Sequence, residues 1–326
     1  MNEPAAPTPT WLEWLRLARV SALPSALSNI LMGYLLINSA WQPRTSLWLL
    51  LLASACLYSA GMILNDFFDR KVDLENSPNR PIPSGRISAG SALFVGLLLL
   101  GTGIALAGIA GATTSSGFSK PLIISSILAL TILLYDWVLK KTFIAPLLMG
   151  LCRTLNVLLG ASVFGDEIIV HGAAPALGFN TLILWVAGSI GIYVTGLTVF
   201  ARDEHRISLR WKLILGLLIM CVGFAGLALI PEQVERLSQI NRVHLAGMFN
   251  ILILLVAIII VRSAGFAIWT TSPTHIQSTV ITSLRSLIIF DACIVFLFRL
   301  GEISYPLTVI SLLGVSLIIG LRIRPT

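Results

Sequence analysis

Charged residues are scarce in this chain. Asp, Glu, Lys and Arg make up 11% of its 326 residues, whereas roughly a quarter of the residues in an ordinary soluble domain are charged. Hydrophobic residues reach 56%, and the mean hydropathy is +0.91. No segment is polar enough and long enough to form a separate soluble domain. The composition therefore excludes a soluble globular protein and predicts one membrane domain over residues 1–326, in which residues 1–15 form a disordered tail.

Motifs of several other function classes are also missing. The four cysteines have no CxxC spacing, which excludes a disulfide framework or a zinc site. No glycine-rich loop supports nucleotide binding. The net charge is +7, but the basic residues lie in short loops between apolar segments, so we expect no nucleic-acid partner. The N-terminus lacks the basic stretch of a cleaved signal peptide, and we expect the first span to stay in the membrane.

Apolar segments long enough to cross a membrane recur along the chain. A spanning helix needs about 20 mainly apolar residues to cross about 30 Å of hydrocarbon. Ten segments fit, at residues 20–38, 46–66, 89–110, 121–138, 143–164, 178–200, 211–230, 245–269, 279–299 and 303–321. Only three residues separate the last two segments, so they form either a hairpin or one broken helix. The sequence predicts an all-α polytopic transmembrane bundle of nine or ten spans.

Basic residues are unequally divided between the two sides of this predicted bundle. With ten spans and the N-terminus in the cytoplasm, fourteen Lys and Arg residues fall on the cytoplasmic side and five on the other. An excess of Lys and Arg marks the cytoplasmic loops of membrane proteins. We therefore expect both termini and the loop after the second span to be cytoplasmic, at the plasma or inner membrane if the source is bacterial.

The loop after the second span carries the clearest chemical signal. Asn65, Asp66, Asp69 and Asp73 lie at i, i+1, i+4 and i+8, so a continuing helix places the three carboxylates on one side. Like charges repel, and a helix C-terminus is the unfavourable end of the dipole for carboxylates. A hard cation removes both problems, and Mg²⁺ is typically bound by one or two carboxylates together with substrate phosphate oxygens. We expect Asp66, Asp69 and Asp73 to bind Mg²⁺.

Cations lie within and after this acidic stretch. Arg70 and Lys71 lie just before Asp73, and Arg80 and Arg86 follow it. The segment NRPIPSG, which contains Arg80, is rich in turn formers and can fold back over the carboxylates. The alternative is that the acidic helix end is only solvated, with Arg70 and Lys71 as neighbours. We favour a site for Mg²⁺ and a diphosphate, because ionisable groups at membrane depth are usually functional.

Three stretches together resemble the UbiA superfamily of intramembrane prenyltransferases, over roughly residues 16–230. The acidic stretch followed by N-R-P-x-x-S-G resembles the first signature of the family, and RVSALPSALSNILMGYLL resembles its opening helix. Tyr135, with Lys140 and Lys141 after it, resembles the family's YxxxxK[KR]xT element. The resemblance implies a helical bundle around a central cavity open to lipid. It also implies a polyprenyl diphosphate substrate, Mg²⁺ as the cofactor, and two Asp-rich motifs.

The second Asp-rich motif departs from the family pattern. Its position reads YVTGLTVFARDEHRIS, with Thr195 and Thr198 where carboxylates are expected. Asp203 and Glu204 are adjacent, and adjacent residues point about 100° apart on a helix, so both cannot easily face one metal ion. The segment TGLTVFARDE resembles the EboC-like branch of the superfamily.

Three interpretations of this second motif stay open. In the first, Asp203 and Glu204 bind one Mg²⁺ ion weakly. In the second, Arg202, His205 and Arg206 bind phosphate in place of the metal. In the third, the charges only set the topology. In the fifth span, Arg153 and Asn156 share a helix face, and we expect that face to line the cavity because exposing Arg to lipid is costly. The predicted diphosphate-binding residues are Arg80, Lys140, Lys141, Tyr135, Arg153, Asn156, Arg202 and Arg206.

These features predict a Mg²⁺-dependent prenyltransferase. Its partners are membrane lipid, a prenyl diphosphate and a small lipophilic acceptor, either aromatic or an alcohol. The predicted catalytic residues are Asn65, Asp66, Asp69 and Asp73. The longest predicted cytoplasmic loops follow the second and the sixth span, four spans apart, which is the layout of an internally duplicated unit. The rival interpretation is a UbiA-like transporter or isoprenoid-binding protein without the chemistry, which such a duplication and the eroded second motif would suit. The intact first motif favours the enzyme.

Overall fold

Helices account for nearly all of the structure. The computed structural model describes residues 10–114, 117–164, 179–202, 209–238, 243–299 and 302–323. Within these ranges the helices are α1 (Trp11–Leu17), α2 (Leu23–Ile37), α3 (Arg44–Asn76), α4 (Ala89–Ala112), α5 (Ser119–Leu133), α6 (Ala145–Gly160), α7 (Thr181–Ala201), α8 (Arg210–Ala228), α9 (Ile230–Ser238), α10 (Val243–Thr270), α11 (Pro273–Phe298) and α12 (Ser304–Arg322). A π-helical turn, Leu134–Leu139, continues α5.

The prediction of an all-α polytopic bundle is confirmed. Eight helices of the described chain are long and apolar enough to cross a membrane. Two more apolar helices, α2 and α6, have 15 and 16 residues. Helices dominate because hydrocarbon offers no hydrogen-bond partner to the backbone, so each N–H and C=O must be satisfied within its own segment. The ten apolar helices match the ten predicted spans, and the last two are separate helices, α11 and α12.

Helix α1 corrects the expected tail. We predicted disorder over residues 1–15, but a helix begins at Trp11, and residues 1–9 lie outside the described chain. The helix is held at both ends of its inner face. Leu17 is completely buried, and Glu13 forms an ion pair with Arg86, whose Nη1 lies 2.9 Å from Glu13 Oε1. The Pro and Ala residues at the start of the sequence led to the prediction of disorder, although Leu17 anchors the following helix in the apolar interior.

Helix α3 is much longer than a membrane requires. Its 33 residues span about 50 Å at a rise of about 1.5 Å per residue, against about 30 Å of hydrocarbon. The helix therefore continues past the apolar region, as predicted, and its last three turns carry the acidic stretch. The chain then folds back: Ile82 and Ile87 are buried in a small apolar cluster with Leu17 and Ile63. That anchoring holds the return segment against the end of α3.

Helices α2 and α6 touch backbone to backbone. A Cβ added to Gly33 would collide with the carbonyl oxygen of Val157, and one added to Gly160 would collide with the carbonyl oxygen of Ile30. Small residues permit this close approach between membrane helices. The contact fixes the height of α6 relative to α2, and so decides which polar side chains of the two helices can meet.

Candidate active site at the end of helix α3

Two of the three predicted carboxylates are buried beneath one arginine. Asp66 and Asp73 lie two helical turns apart and are 3% and 7% exposed. Arg80, on the return segment, places Nη1 2.8 Å from Asp73 Oδ2 and 3.8 Å from Asp66 Oδ1. The turn-rich segment thus folds over the acidic stretch, as predicted, because its apolar residues are buried beside α1 and α3.

A second arginine reaches the same carboxylate from the start of the chain. Arg19 Nη2 lies 3.0 Å from Asp66 Oδ1. Sequence analysis missed this residue because a basic residue before the first span is explained by topology alone. The only available signal was its position within the stretch RVSALPS that resembles the family's opening helix.

Asp69 and Asn65 face the π-helical turn instead. Lys140 forms an ion pair with Asp69 and donates a hydrogen bond to Asn65 Oδ1 at 3.0 Å. Asn65 Nδ2 donates to Asp136 Oδ1 at 2.9 Å. A π-helical turn is rare and occurs mostly at functional sites. Here it directs both an acid and a cation toward α3.

Asp136 is a fourth acid that the sequence analysis overlooked. It is 6% exposed, and its Oδ2 has no hydrogen-bond partner within the described residues. Its neighbour Tyr135, which was predicted to bind the diphosphate, is half-buried beside Asp69 and Asp136. The missed signal was an acid near the end of an otherwise apolar span, between Tyr135 and Trp137.

The charges at this site nearly cancel. Four carboxylates, those of Asp66, Asp69, Asp73 and Asp136, meet three cations, Arg19, Arg80 and Lys140. The carboxylates outnumber the cations by one, so the site lacks the excess of positive charge that would attract a diphosphate by itself. No group of three or more His, Cys, Asp or Glu is arranged as a ligand set in the part of the chain that the structure covers.

The chemistry of the donors nevertheless fits Mg²⁺. Every candidate donor is a carboxylate or amide oxygen, the type that this hard cation prefers, and Mg²⁺ takes its remaining ligands from substrate phosphate and water. The carboxylates here are held close to cations, which suit phosphate oxygens equally well. When a metal ion and a diphosphate enter together, the existing ion pairs can therefore separate. The carboxylates then bind the metal ion, and the cations bind the phosphate oxygens.

Two predicted diphosphate-binding residues lie elsewhere. Arg153 donates to Ser25 Oγ at 2.9 Å and to Asn29 Oδ1 at 3.2 Å, both on α2. Asn156 donates to the carbonyl oxygen of Ala26 and accepts from Ser54, each at 2.8 Å. Neither has a described contact with the carboxylates of α3. The sequence correctly placed the two residues on an inward face of α6, but not their depth.

The second motif brings no carboxylate to the site within the described part of α7. Thr195 and Thr198 donate to backbone carbonyls of their own helix, at 2.9 and 2.8 Å. Arg202 donates to the carbonyl oxygen of Lys141 at 3.0 Å, and the Lys141 side chain is exposed. The predicted residues Asp203, Glu204, His205 and Arg206 lie outside the described residues.

The sequence of this chain is similar to those of known membrane prenyltransferases. A model of the UbiA prenyltransferase family matches residues 26–211, which is more than half of the chain. Digeranylgeranylglyceryl phosphate synthase of Methanococcoides burtonii is 36% identical over 163 residues, covering 48% of this chain and 55% of that protein. The synthase of the same name from Saccharolobus solfataricus is 28% identical over 184 residues, covering 55% and 63%. The matched part thus spans little more than half of each of these curated relatives.

Solved structures share the whole bundle. A UbiA homologue from Archaeoglobus fulgidus, bound to GPP and Mg²⁺, has a TM-score of 0.57 at 18% identity and covers 92% of this chain and 99% of its own. A UbiA homologue from Aeropyrum pernix has a TM-score of 0.58 at 17% identity, covering 93% and 97%. At these identities the likeness establishes a common fold.

Proposed function

Because this chain belongs to the UbiA prenyltransferase family, we propose that it transfers an isoprenoid chain from a prenyl diphosphate to the hydroxyl group of a membrane-soluble acceptor. The observation that carries this proposal is the cluster at the end of α3, where the three aspartates of the helix form ion pairs with Arg19, Arg80 and Lys140. The relatives named above are named as synthases of digeranylgeranylglyceryl phosphate, and a glyceryl group as acceptor favours an alcohol over an aromatic compound.

Diphosphate binding is the first task of the site. Asp66, Asp69 and Asp73 would hold Mg²⁺, which supplies positive charge against the diphosphate as that group leaves. The three cations of the cluster are then free to donate to phosphate oxygens. Arginine suits this role because its planar guanidinium can contact a phosphate through two parallel hydrogen bonds.

Transfer breaks one bond and makes another. The bond between C1 of the prenyl chain and the diphosphate oxygen breaks, and its electron pair leaves on the diphosphate. The acceptor oxygen bonds to C1, and its proton passes to water at the polar end of the site. Cations aimed at the departing oxygens stabilise the charge where it develops. The apolar bundle below the site shields the electron-poor C1 from premature attack by water.

A non-catalytic isoprenoid-binding protein or transporter is the second candidate. The threonines on α7 favour it, because the described part of that helix offers no carboxylate in their place. The two candidates differ in one product: an enzyme releases pyrophosphate in proportion to chain transfer, and a carrier releases none.

Purified protein in lipid nanodiscs provides the test. We expect Mg²⁺-dependent release of pyrophosphate from geranylgeranyl diphosphate in the presence of an O-alkylglycerol phosphate. Asp66→Asn and Asp69→Asn should each lower this rate by a factor of about 100 or more, because each removes charge from the proposed metal site. Glu75→Gln is the matched control, since Glu75 is an exposed acid on the same helix. Absence of pyrophosphate release with farnesyl, geranylgeranyl and longer diphosphates would exclude the enzyme.

A further inference from the structure

Asp136 carries a buried oxygen that accepts no hydrogen bond from the described residues. The residue is 6% exposed. Its Oδ1 accepts a hydrogen bond from Asn65 Nδ2 at 2.9 Å, whereas its Oδ2 has no partner in the part of the chain that the structure describes. The other three carboxylates of the cluster each form an ion pair with a cation. A buried charged acceptor without a partner is costly, so this oxygen requires a specific explanation.

The backbone is irregular at the same residue. Asp136 lies within the π-helical turn Leu134–Leu139, which follows an ordinary α-helix that ends at Leu133. Turns of this kind are rare and occur mostly at functional sites. The turn and the oxygen without a partner are two independent irregularities at one position. Together they favour a role of Asp136 in binding over a role in packing.

A cation already lies close to this carboxylate. Lys140 donates to Asn65 Oδ1 at 3.0 Å, forms an ion pair with Asp69, and interacts electrostatically with Asp136. Asn65 contacts both ends of the turn, because its Nδ2 donates to Asp136 and its Oδ1 accepts from Lys140. The ammonium of Lys140 therefore lies among oxygen atoms of α3, one amide group away from the carboxylate of Asp136. Carboxylate and amide oxygens are the donors that a hard divalent cation prefers.

Lys140 is able to leave this position. Its side chain is 29% exposed and that of Asp69 is 24% exposed, and a lysine ammonium is a point charge on a flexible four-carbon stem. When a diphosphate enters, the ammonium can turn to a phosphate oxygen, which lysine binds well. The carboxylates of Asp69 and Asp136 then both lack a cation. Mg²⁺ is typically bound by one or two carboxylates together with phosphate oxygens, so these two carboxylates suit one ion.

We propose that Asp136 is a ligand of the metal ion that accompanies the diphosphate, and that it shares this ion with Asp69. This assignment, which rests on the proposed prenyl transfer, adds a carboxylate from outside α3 to the three already placed at the metal. Asn65 is a positioning residue, because its Nδ2 holds Oδ1 of Asp136 and leaves Oδ2 for the ion. Carboxylates alone do not form a ligand set in the described chain, so the ion needs phosphate oxygens as well.

Metal binding without catalysis tests the proposal. The full-length protein, in nanodiscs of zwitterionic lipid, is dialysed to equilibrium against Mn²⁺ with geranylgeranyl S-thiolodiphosphate, an analogue that resists transfer, at equal concentration on both sides. Asp136→Asn should weaken Mn²⁺ binding by about tenfold or more, since loss of a group that only supports a ligand already costs about 10–100-fold. The new amide oxygen still accepts a hydrogen bond from Asn65, so a purely positioning role of Asp136 predicts no change. Glu75→Gln, which changes an exposed acid on α3, is the matched control and should bind Mn²⁺ as wild type does.

A change of metal preference distinguishes a direct ligand from a nearby charge. Thiolates favour soft metal ions, so Asp136→Cys, kept reduced, should raise the ratio of Cd²⁺ affinity to Mn²⁺ affinity by a factor of about 10 or more over wild type. Glu75→Cys adds the same thiol at an exposed position of α3 and should leave that ratio unchanged. Wild type, which keeps its four free cysteines, provides the background for both variants.

Three results would overturn the proposal: wild type that binds no Mn²⁺ with the analogue, Asp136→Asn that binds Mn²⁺ as wild type does, or Asp136→Cys without a raised preference for Cd²⁺. Pyrophosphate release decides the proposed function separately. Transfer by wild type, together with normal Mn²⁺ binding by Asp136→Asn, removes Asp136 from the metal site and leaves the proposed function in place. Mn²⁺ binding that depends on Asp136, without pyrophosphate release from any prenyl diphosphate, refutes the proposed function and supports the ligand.

Discussion

Removing Arg80 should destabilise the protein in a way that Mg²⁺ repairs. Arg80 is 13% exposed and neutralises Asp73 and Asp66, whose side chains are 10% and 4% exposed. Arg80→Met leaves both carboxylates buried without that partner, although Asp66 keeps Arg19. Breaking a buried ion pair typically costs about 3–5 kcal/mol. We expect a loss at the lower end of that range, about 3 kcal/mol, because one carboxylate remains paired.

The measurement is the free energy of unfolding in mixed micelles, followed by circular dichroism with and without Mg²⁺. A divalent cation bound between the carboxylates replaces the lost positive charge, so Mg²⁺ should recover a large share of the stability of Arg80→Met. Wild type, whose carboxylates are already paired, should gain much less. Asp73→Asn combined with Arg80→Met should abolish the recovery, because the metal then loses a ligand.

Arg86→Met is the matched control for this experiment. Arg86 lies on the same return segment and pairs with Glu13, but its side chain is 31% exposed, and a partly exposed pair contributes only about 1 kcal/mol or less. The reasoning is refuted if Arg80→Met costs no more than Arg86→Met. It is equally refuted if Mg²⁺ stabilises both variants by the same amount, since the ion would then be acting away from the carboxylates of α3.

Two further predictions concern packing and catalysis. Gly33→Ala should lower the free energy of unfolding by about 1–3 kcal/mol, because its methyl group would collide with the backbone of Val157. Gly101→Ala should be neutral or slightly stabilising, because a methyl group there meets nothing within 4 Å. Equal effects of the two substitutions in chemical unfolding would contradict the close contact of α2 and α6. Asn65→Leu removes the two hydrogen bonds that Asn65 makes with Asp136 and Lys140. It should lower kcat by a factor of about 10–100 with a smaller change in KM, because misplacement of Lys140 affects the transition state most. A normal kcat in steady-state kinetics would exclude that role for Asn65.

The elements that follow from local pattern were predictable from the sequence. Length and apolarity alone indicated the ten apolar helices, and the spacing of Asp66, Asp69 and Asp73 indicated that α3 continues beyond the membrane. Each of these predictions depends only on the residues of a single segment of the chain. The return of the chain over α3 was also foreseeable, since turn formers and apolar residues alternate in it.

The partners contributed by distant segments were not predictable. Arg19 and Asp66 are separated by 47 positions, and Asn65 and Asp136 by 71, so only packing brings them together. The depth of Arg153 was hidden for the same reason. Helical spacing indicates which face a residue occupies, but the height of α6 is set by its glycine contacts with α2. The predicted cytoplasmic orientation of both termini rests on charge bias and stays a prediction.

The π-helical turn makes the proposed active site more sensitive to chain length than to side-chain identity. Asp136 and Lys140 both reach α3 because the turn Leu134–Leu139 holds one residue more than an α-helical turn would. Deleting a single residue there would restore an ordinary α-helical turn and change the directions of Asp136 and Lys140 relative to each other, so both could no longer reach α3 as they do now. The length of this turn therefore constrains the geometry of the site more tightly than the identity of its side chains does.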